Sequence, residues 1–449
     1  MQTTFDEVTP DNRRFVPTRH VPHDRESGLW FDETATAPNS SAWQPEAGVG
    51  MERPHVVVVG GGFAGFWAAA SAAAAARAAD RPADVTLVSS RPSLSVRPRL
   101  YEADLGPTVV ELAPVLEPIG VDVRIGSATH LDPRRHMVRV DGAWLPFDAG
   151  VVATRSSTPL PSLPGLAEHA HRIDVSHRAA AFRAALGALR RRAGTVRVTV
   201  VGGGLTGIEL ATELASEPDV DVTLVDSGVV GDVFGDAALS VVRGALADLG
   251  VRVVDGDRVA AASRTAVALQ SGGTVDHDLL VWTGGLRANV LRGLDAFERD
   301  ELGRLVVDEH LRLPGGVPVW AAGDSARFLV DGQHAAPMSC QFAIPSGQLA
   351  GHNAAVSVLG GDPLPLTIGH YVTCVDLGAA GGLLTRGWDR VVALTGEDGK
   401  RVKAFINRTA IYPPTAPAAL LDVAAHPADG HDWTDDLVRI GTRAVGVVA

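Results

Sequence analysis

The stretch HVVVVGGGFAG, His55 to Gly65, decides how the rest of the chain is read. Four valines bounded by polar residues are the pattern of a strand buried on both faces. A glycine run then breaks that strand into an alanine-rich helix. Gly60, Gly62 and Gly65 fit G-x-G-x-x-G. The first glycine allows the tight turn, the second lets a pyrophosphate approach the backbone, and the third lets helix and strand pack closely. The free N–H groups and the positive end of the helix then receive the phosphates. One such match is weak, because glycine-rich corners also occur without a ligand. A second copy, VTVVGGGLTGIELATEL (Val198 to Leu214), repeats strand, glycines and helix with Gly202, Gly204 and Gly207.

The two copies sit in matching surroundings. After the first, DVTLVS (Asp84 to Ser89) is the strand whose end usually carries an acid for the adenosine ribose. Here Ser89-Ser90-Arg91 stands there, leaving a hydroxyl and a guanidinium to bond ribose and phosphate oxygens. Arg97 and Arg99 flank Pro98 and read either as a solvated loop or as an arginine pair lining a cofactor cleft, with Arg99 the candidate ligand. Short strands at Val121–Ile125 and Met137–Val140 lead to a closing segment that ends at Thr154. After the second copy come a strand Val222–Asp226, a helix near Ala237–Leu249, a strand Val251–Val254 and the closing HDLLVWTGG, His277 to Gly285. Asp226 ends its strand 22 residues after Gly204, where a carboxylate accepts ribose hydroxyls and repels a 2′-phosphate. NADH is therefore favoured over NADPH, and a solvated strand-end acid is the bland alternative.

Composition bounds the function. The chain has 449 residues, 46% of them hydrophobic, and a net charge of −12, which suits two or three folded domains and argues against nucleic acid and anionic membranes. Lysine supplies only Lys400 and Lys403 of the 40 basic residues, which reads as coding bias. Two cysteines, Cys340 and Cys374, are too few for a disulfide framework or a metal site. No run reaches the roughly 20 apolar residues a bilayer span needs, and no signal peptide is visible. A cytoplasmic location, at most peripheral to the inner face of the membrane, is expected. Residues 1–52 read as a disordered, dispensable tail.

A third element makes the pattern specific. Val317 to Ser325, VPVWAAGDS, is a strand ending in Gly-Asp that would return Asp324 to the first nucleotide. The order GGGFAG, VVAT, GGGLTGIELA, VWTGG and WAAGDS resembles the two-dinucleotide-binding-domain flavoproteins, and among them the type II NADH dehydrogenases, over about residues 54–360. The fold this implies is α/β: two Rossmann-like dinucleotide-binding domains with a C-terminal α+β cap. Residues 53–158 and 286–360 would form the FAD-binding domain, 159–285 the NAD(P)H-binding domain, and 361–449 the cap, the face a homodimer would use. The resemblance assigns Gly60, Gly62, Gly65 and Asp324 to FAD, with Asp324 holding the ribityl chain. It assigns Gly202, Gly204, Gly207 and Asp226 to NADH. Thr154 and Gly284 stand where the chain crosses between domains, and Arg155 replaces the glycine usual there.

No cysteine pair lies near the helix beginning at Gly65, so electrons would pass from flavin to a small-molecule acceptor without redox cysteines. Glu209 matches the glutamate that the resembled family places near nicotinamide and flavin; charge compensation at a helix N-terminus explains it equally well. MSCQFAIPSGQLAGHNAA (Met338 to Ala355) resembles the helix whose N-terminus faces the flavin pyrimidine, making Gln341, Phe342 and Ala343 candidates. Pro345-Ser346 replaces the Gln-Gln pair of the family's quinone reductases and puts quinone reduction in doubt. Three readings stay open: an NADH dehydrogenase-like enzyme using a quinone or another acceptor, a tailoring flavoenzyme acting on a specialised metabolite, and a non-catalytic flavin-binding redox sensor. Tyr371 either reaches the flavin or packs in the cap, and the tail Thr434 to Ala449 is a docking helix, too acidic for a good anchor.

Overall fold

Valines 56 to 59 have no polar side chain to solvate and no room for water on either face, so they become an inner strand. In the computed structural model, which describes residues 53–79, 81–106, 108–427 and 432–442, they form the strand His55–Val59 at the centre of a five-stranded parallel sheet. Its order is Val319–Ala321, Ala149–Val152, His55–Val59, Asp84–Ser89 and Val121–Ile125. Each pairing is parallel, with Val56 opposite Val85 on one side and Ala149 on the other.

The second copy builds a second sheet, Ala170–His171, Leu279–Trp282, Val196–Val201, Val220–Val225 and Arg252–Val254, again all parallel; its last four strands repeat the order of the first sheet, while its edge strand precedes the glycine motif instead of following it. Each unit also carries a three-stranded antiparallel meander, Ala128–Asp132 to Ala143–Pro146 in one and Val259–Ala262 to Thr274–Asp276 in the other. The duplication legible in the glycine motifs is thus a duplication of the whole α/β unit. The expected tail at residues 1–52 lies outside the described residues, as does the chain beyond Thr442; before it, the helix Thr434–Thr442 forms.

Two chain segments cross between the sheets and are tied into one ribbon. Ser156–Ser157 pairs antiparallel with Arg287–Ala288, and Asn289 bonds both ways with Thr154, accepting from its Oγ1 at 2.9 Å and donating from Nδ2 at 2.9 Å. The helices Phe63–Ala78 and Cys340–Leu359 pack backbone to backbone in the core of the first unit, because Gly347 and Gly351 carry nothing to separate them: a Cβ at Gly351 would stand 2.0 Å from the Ala68 carbonyl oxygen. The last unit is an antiparallel sheet, Val372–Asp376, Gly382–Arg386 and Val391–Thr395, with the helix Gly396–Phe405 on it.

Candidate functional site: a cavity shared by both glycine turns

The first turn needs glycine for a local reason. Gly60 has φ +119°, and a Cβ there would meet the Ala153 carbonyl oxygen at 2.1 Å, so the strand end can turn only without a side chain. Gly65 packs the helix onto that turn; its Cβ would lie 1.6 Å from the Gly60 oxygen. Gly62 is different, since its Cβ would meet nothing nearer than 4.0 Å, and at the equivalent Gly204 nothing lies within 4 Å. These two positions face open space at helix N-termini, the cradle into which a phosphate fits.

Both cradles open on one cavity of about 1390 Å³. Gly60, Gly62, Ser89, Thr154 and Asp324 line it from the first unit, and Gly204 and Glu209 from the second. Gln341 and Ala343 reach it from the N-terminal turn of Cys340–Leu359, and Tyr371 and Lys403 from the last unit. Gly65, Gly202 and Gly207 act beneath the surface as packing glycines, and Gly284 is held by Trp282 Nε1 on its carbonyl oxygen at 2.9 Å.

Several candidates stand differently from the reading of the sequence. Arg99 lies outside the cavity lining: it is 5% exposed, forks onto Glu102 at 2.8 Å and donates to the Tyr412 hydroxyl at 2.9 Å. The arginine in the cavity is Arg97, whose Nη1 reaches Ser156 Oγ at 3.0 Å and Asp324 Oδ2 at 3.4 Å. The two flank Pro98 in one 3₁₀ turn, which sends their side chains apart. Phe342 is 1% exposed and belongs to the core, its ring 5.7 Å from that of Tyr371. The Gln341 carboxamide, oriented to satisfy both groups, donates to the Val372 carbonyl at 2.9 Å and accepts from its N–H at 3.2 Å. It fastens the cavity helix to the last sheet. Asp226 lies outside the cavity lining at its strand end, where its carboxylate accepts from the N–H groups of Gly203 at 2.5 Å and Gly228 at 2.7 Å.

Glu209 gains a partner that sequence reasoning missed. It is 6% exposed and lies 2.7 Å from Lys403 Nζ, which is equally buried. Burial pushes the Glu209 carboxyl up, against the pull of the ammonium. Burial also works against the charged lysine, but the carboxylate overrides it and raises the Lys403 pKa. Each charge is affordable only through the other. The Asp376 backbone N–H supports Glu209 Oε1 at 3.2 Å, and the Asp376 carboxylate takes Lys400 Nζ at 2.5 Å and the Tyr101 hydroxyl at 3.1 Å. Both lysines of the chain therefore work at this site; in a sequence with 40 basic residues, their rarity was the available signal. A compact ammonium fits where a guanidinium fork does not.

Comparison with known proteins agrees with this geometry. Residues 54–347 match the family model described as pyridine nucleotide-disulphide oxidoreductase. The chain belongs to that family. Within it the chain is NADH dehydrogenase-like: it is 39% identical over 379 residues to the NADH dehydrogenase-like protein MT1860 of Mycobacterium tuberculosis, covering 80% of this chain and 94% of that one. It is also 26% identical to the demethylphylloquinone reductase NdbB of Synechocystis, over 74% of this chain and 87% of that protein. Among solved structures, NDH2 from Plasmodium falciparum in complex with NADH superposes with a TM-score of 0.67 at 13% identity, covering 83% and 97% of the two chains. The sulfide:quinone oxidoreductase of Aquifex aeolicus gives 0.67 at 18%, covering 86% and 95%. These two share the fold. As a family member, the chain is an NAD(P)H oxidoreductase that binds flavin and NAD(H), which favours the enzyme reading over the sensor.

The helix Phe63–Ala78 carries no cysteine. Desolvation pushes Cys340 up to about 11 and Cys374 up to about 12, so both are neutral thiols at pH 7. Among the described residues no helix is long and apolar enough to cross a membrane.

Proposed function

We propose that this chain holds FAD on the turn Gly60–Gly62, receives NADH on the turn Gly202–Gly204, and passes the electrons to a quinone. The observation that carries the reading is the single cavity onto which both glycine cradles and the Glu209–Lys403 pair open. Bound FAD would supply a hydride acceptor and a two-electron store. The chain supplies position and charge. Asp324, held by Ser156 Oγ at 2.5 Å and by Arg97, offers its carboxylate to hydroxyls of the first cofactor. Thr154, fixed by Asn289, sets the wall beside it.

Coenzyme choice rests on charge. Asp226 and Asp232 flank Gly228, and the Asp257 N–H bonds the Asp226 carbonyl, so the strand end gathers carboxylates that disfavour a 2′-phosphate. NADH is the coenzyme this arrangement supports.

The acceptor reading draws on the relatives named for quinone reduction. Pro345-Ser346 weighs less against it than the sequence suggests, because Ser346 is fully buried, accepting from the Gly323 N–H at 3.0 Å and donating to the Phe342 carbonyl at 2.5 Å. Only Pro345 lines the cavity. Reducing a quinone with NADH consumes one proton from solvent, and the Lys403 ammonium, kept charged by Glu209, offers a positive charge to an anion forming at the cavity wall. The segment Trp433 to Leu437 reaches the same cavity with Trp433 53% exposed, a placement that supports peripheral contact with the bilayer holding such acceptors. Anaerobic incubation with limiting NADH and excess soluble quinone tests the reading: one quinone should be reduced per NADH consumed. NADH oxidation that requires oxygen and leaves the quinone untouched would refute the acceptor.

A further inference from the structure

Arg155 stands at the crossover beside the first glycine turn with three features that each cost free energy in the protein alone. Its φ is +55°, a left-handed conformation uncommon for a residue with a side chain. Its side chain is half-buried on the cavity wall. Its charge stands mostly among its own kind: burial depresses its pKa, and Arg97, Arg91 and Arg178 push in the same direction against the single pull of Asp174.

The carboxylates nearby are already engaged. Asp324 takes Ser156 and Arg97, and Asp174 takes Arg178 at 2.8 Å. Among the described residues, no carboxylate lies within ion-pair distance of Arg155 or Arg91, and Arg91 Nη1 rests 3.3 Å from the Nδ1 of His177. Ser89, which replaces the usual acid, spends its hydroxyl on the Arg91 carbonyl at 2.7 Å. Two positive charges thus remain on the cavity wall. Arg155 Cβ lies 4.0 Å from the point a Cβ on Gly62 would occupy, so the side chain starts beside the phosphate cradle.

We propose that Arg155, with Arg91, forms a clamp for the pyrophosphate of the first dinucleotide, two guanidiniums meeting two phosphate charges over the Gly60–Gly62 turn. The inference rests on the reading of that dinucleotide as FAD. Guanidinium forks match phosphate oxygens in geometry as well as charge, and a dianion offsets the mutual repulsion of the cluster. The site therefore recognises the diphosphate of the cofactor in addition to its flavin ring.

The test compares the full-length wild type with Arg155→Gly and Arg155→Gln, each stripped and reloaded with FAD or with riboflavin, which has no phosphate. Released flavin is read by fluorescence at low and high salt. Loss of one charge-assisted contact should weaken FAD by ~10- to 100-fold in both variants, leave riboflavin unchanged and flatten the salt dependence. The flavin-free Arg155→Gly protein should melt at a higher temperature than flavin-free wild type, since glycine relieves the left-handed backbone and a repelling charge is gone. Equal FAD affinity in wild type and variants would overturn the clamp while leaving FAD binding intact. Parallel loss of FAD and riboflavin would also overturn it, marking Arg155 as structural. A wild type that binds no FAD at all would remove the reading beneath it.

Discussion

Glu209 and Lys403 meet at 2.7 Å on the cavity wall, and neither is stable there alone. Lys403→Met keeps the aliphatic volume and removes the charge, leaving a buried carboxyl to take up its own proton. Turnover with quinone should fall by roughly 100-fold or more, the scale of losing a positioned cation beside a developing anion. NADH affinity should change little, and because the carboxyl can take up a proton the variant should lose less stability than the roughly 3–5 kcal/mol of a stranded buried charge. Steady-state kinetics with a denaturant melt separates the two effects; a variant as active as wild type would show that the pair is structural. At this scale the sequence was partly legible. Gly60 announces its role because only glycine meets the local demand there, and Gly62 and Gly204 announce theirs through their place in the G-x-G-x-x-G spacing. Glu209 was visible as a candidate, but its partner lies on the helix Gly396–Phe405, in a different unit of the fold. The Arg97/Arg99 pair shows the same limit: which arginine faces the cavity depends on the rotation of a three-residue turn, and alternation around a proline does not fix it.

The element on which the cavity depends is the helix Cys340–Leu359. Its N-terminal turn brings Gln341 and Ala343 to the cavity, Gln341 bridges to Val372, and Gly347 and Gly351 press it against Phe63–Ala78. A valine at Gly351 would force the helices apart, since a single Cβ already falls 2.0 Å from the Ala68 oxygen and 2.6 Å from the Ala68 Cα. Gly351→Val should destabilise the protein by about 3 kcal/mol, the upper range for overpacking, with a lower denaturant midpoint and loosened flavin retention. An unchanged midpoint would mean the two helices are not locked together. Each helix was readable from the sequence, the first from its glycine start and the second by resemblance. Their close contact was not, because small residues four apart serve solvent-exposed and packed helices alike until the partner is known.

On the scale of the molecule, duplication is the most legible property of the chain. Two strand–glycine–helix units build two parallel sheets that share the order of four strands, and the Gly-Asp strand Val319–Ala321 completes the first. What the two units share was hidden, because the cavity wall draws Gly62, Gly204, Asp324, Tyr371 and Lys403 from distant parts of the chain. That sharing is the central claim: two nucleotide cradles facing one space, with a buried proton-bearing pair between them and the last sheet. Anaerobic stopped-flow mixing of the flavin-loaded protein with NADH tests it most directly. Rapid bleaching of the flavin band, at a rate that saturates with NADH, is the expected result. Flavin that stays bound and oxidised in the presence of NADH would contradict it.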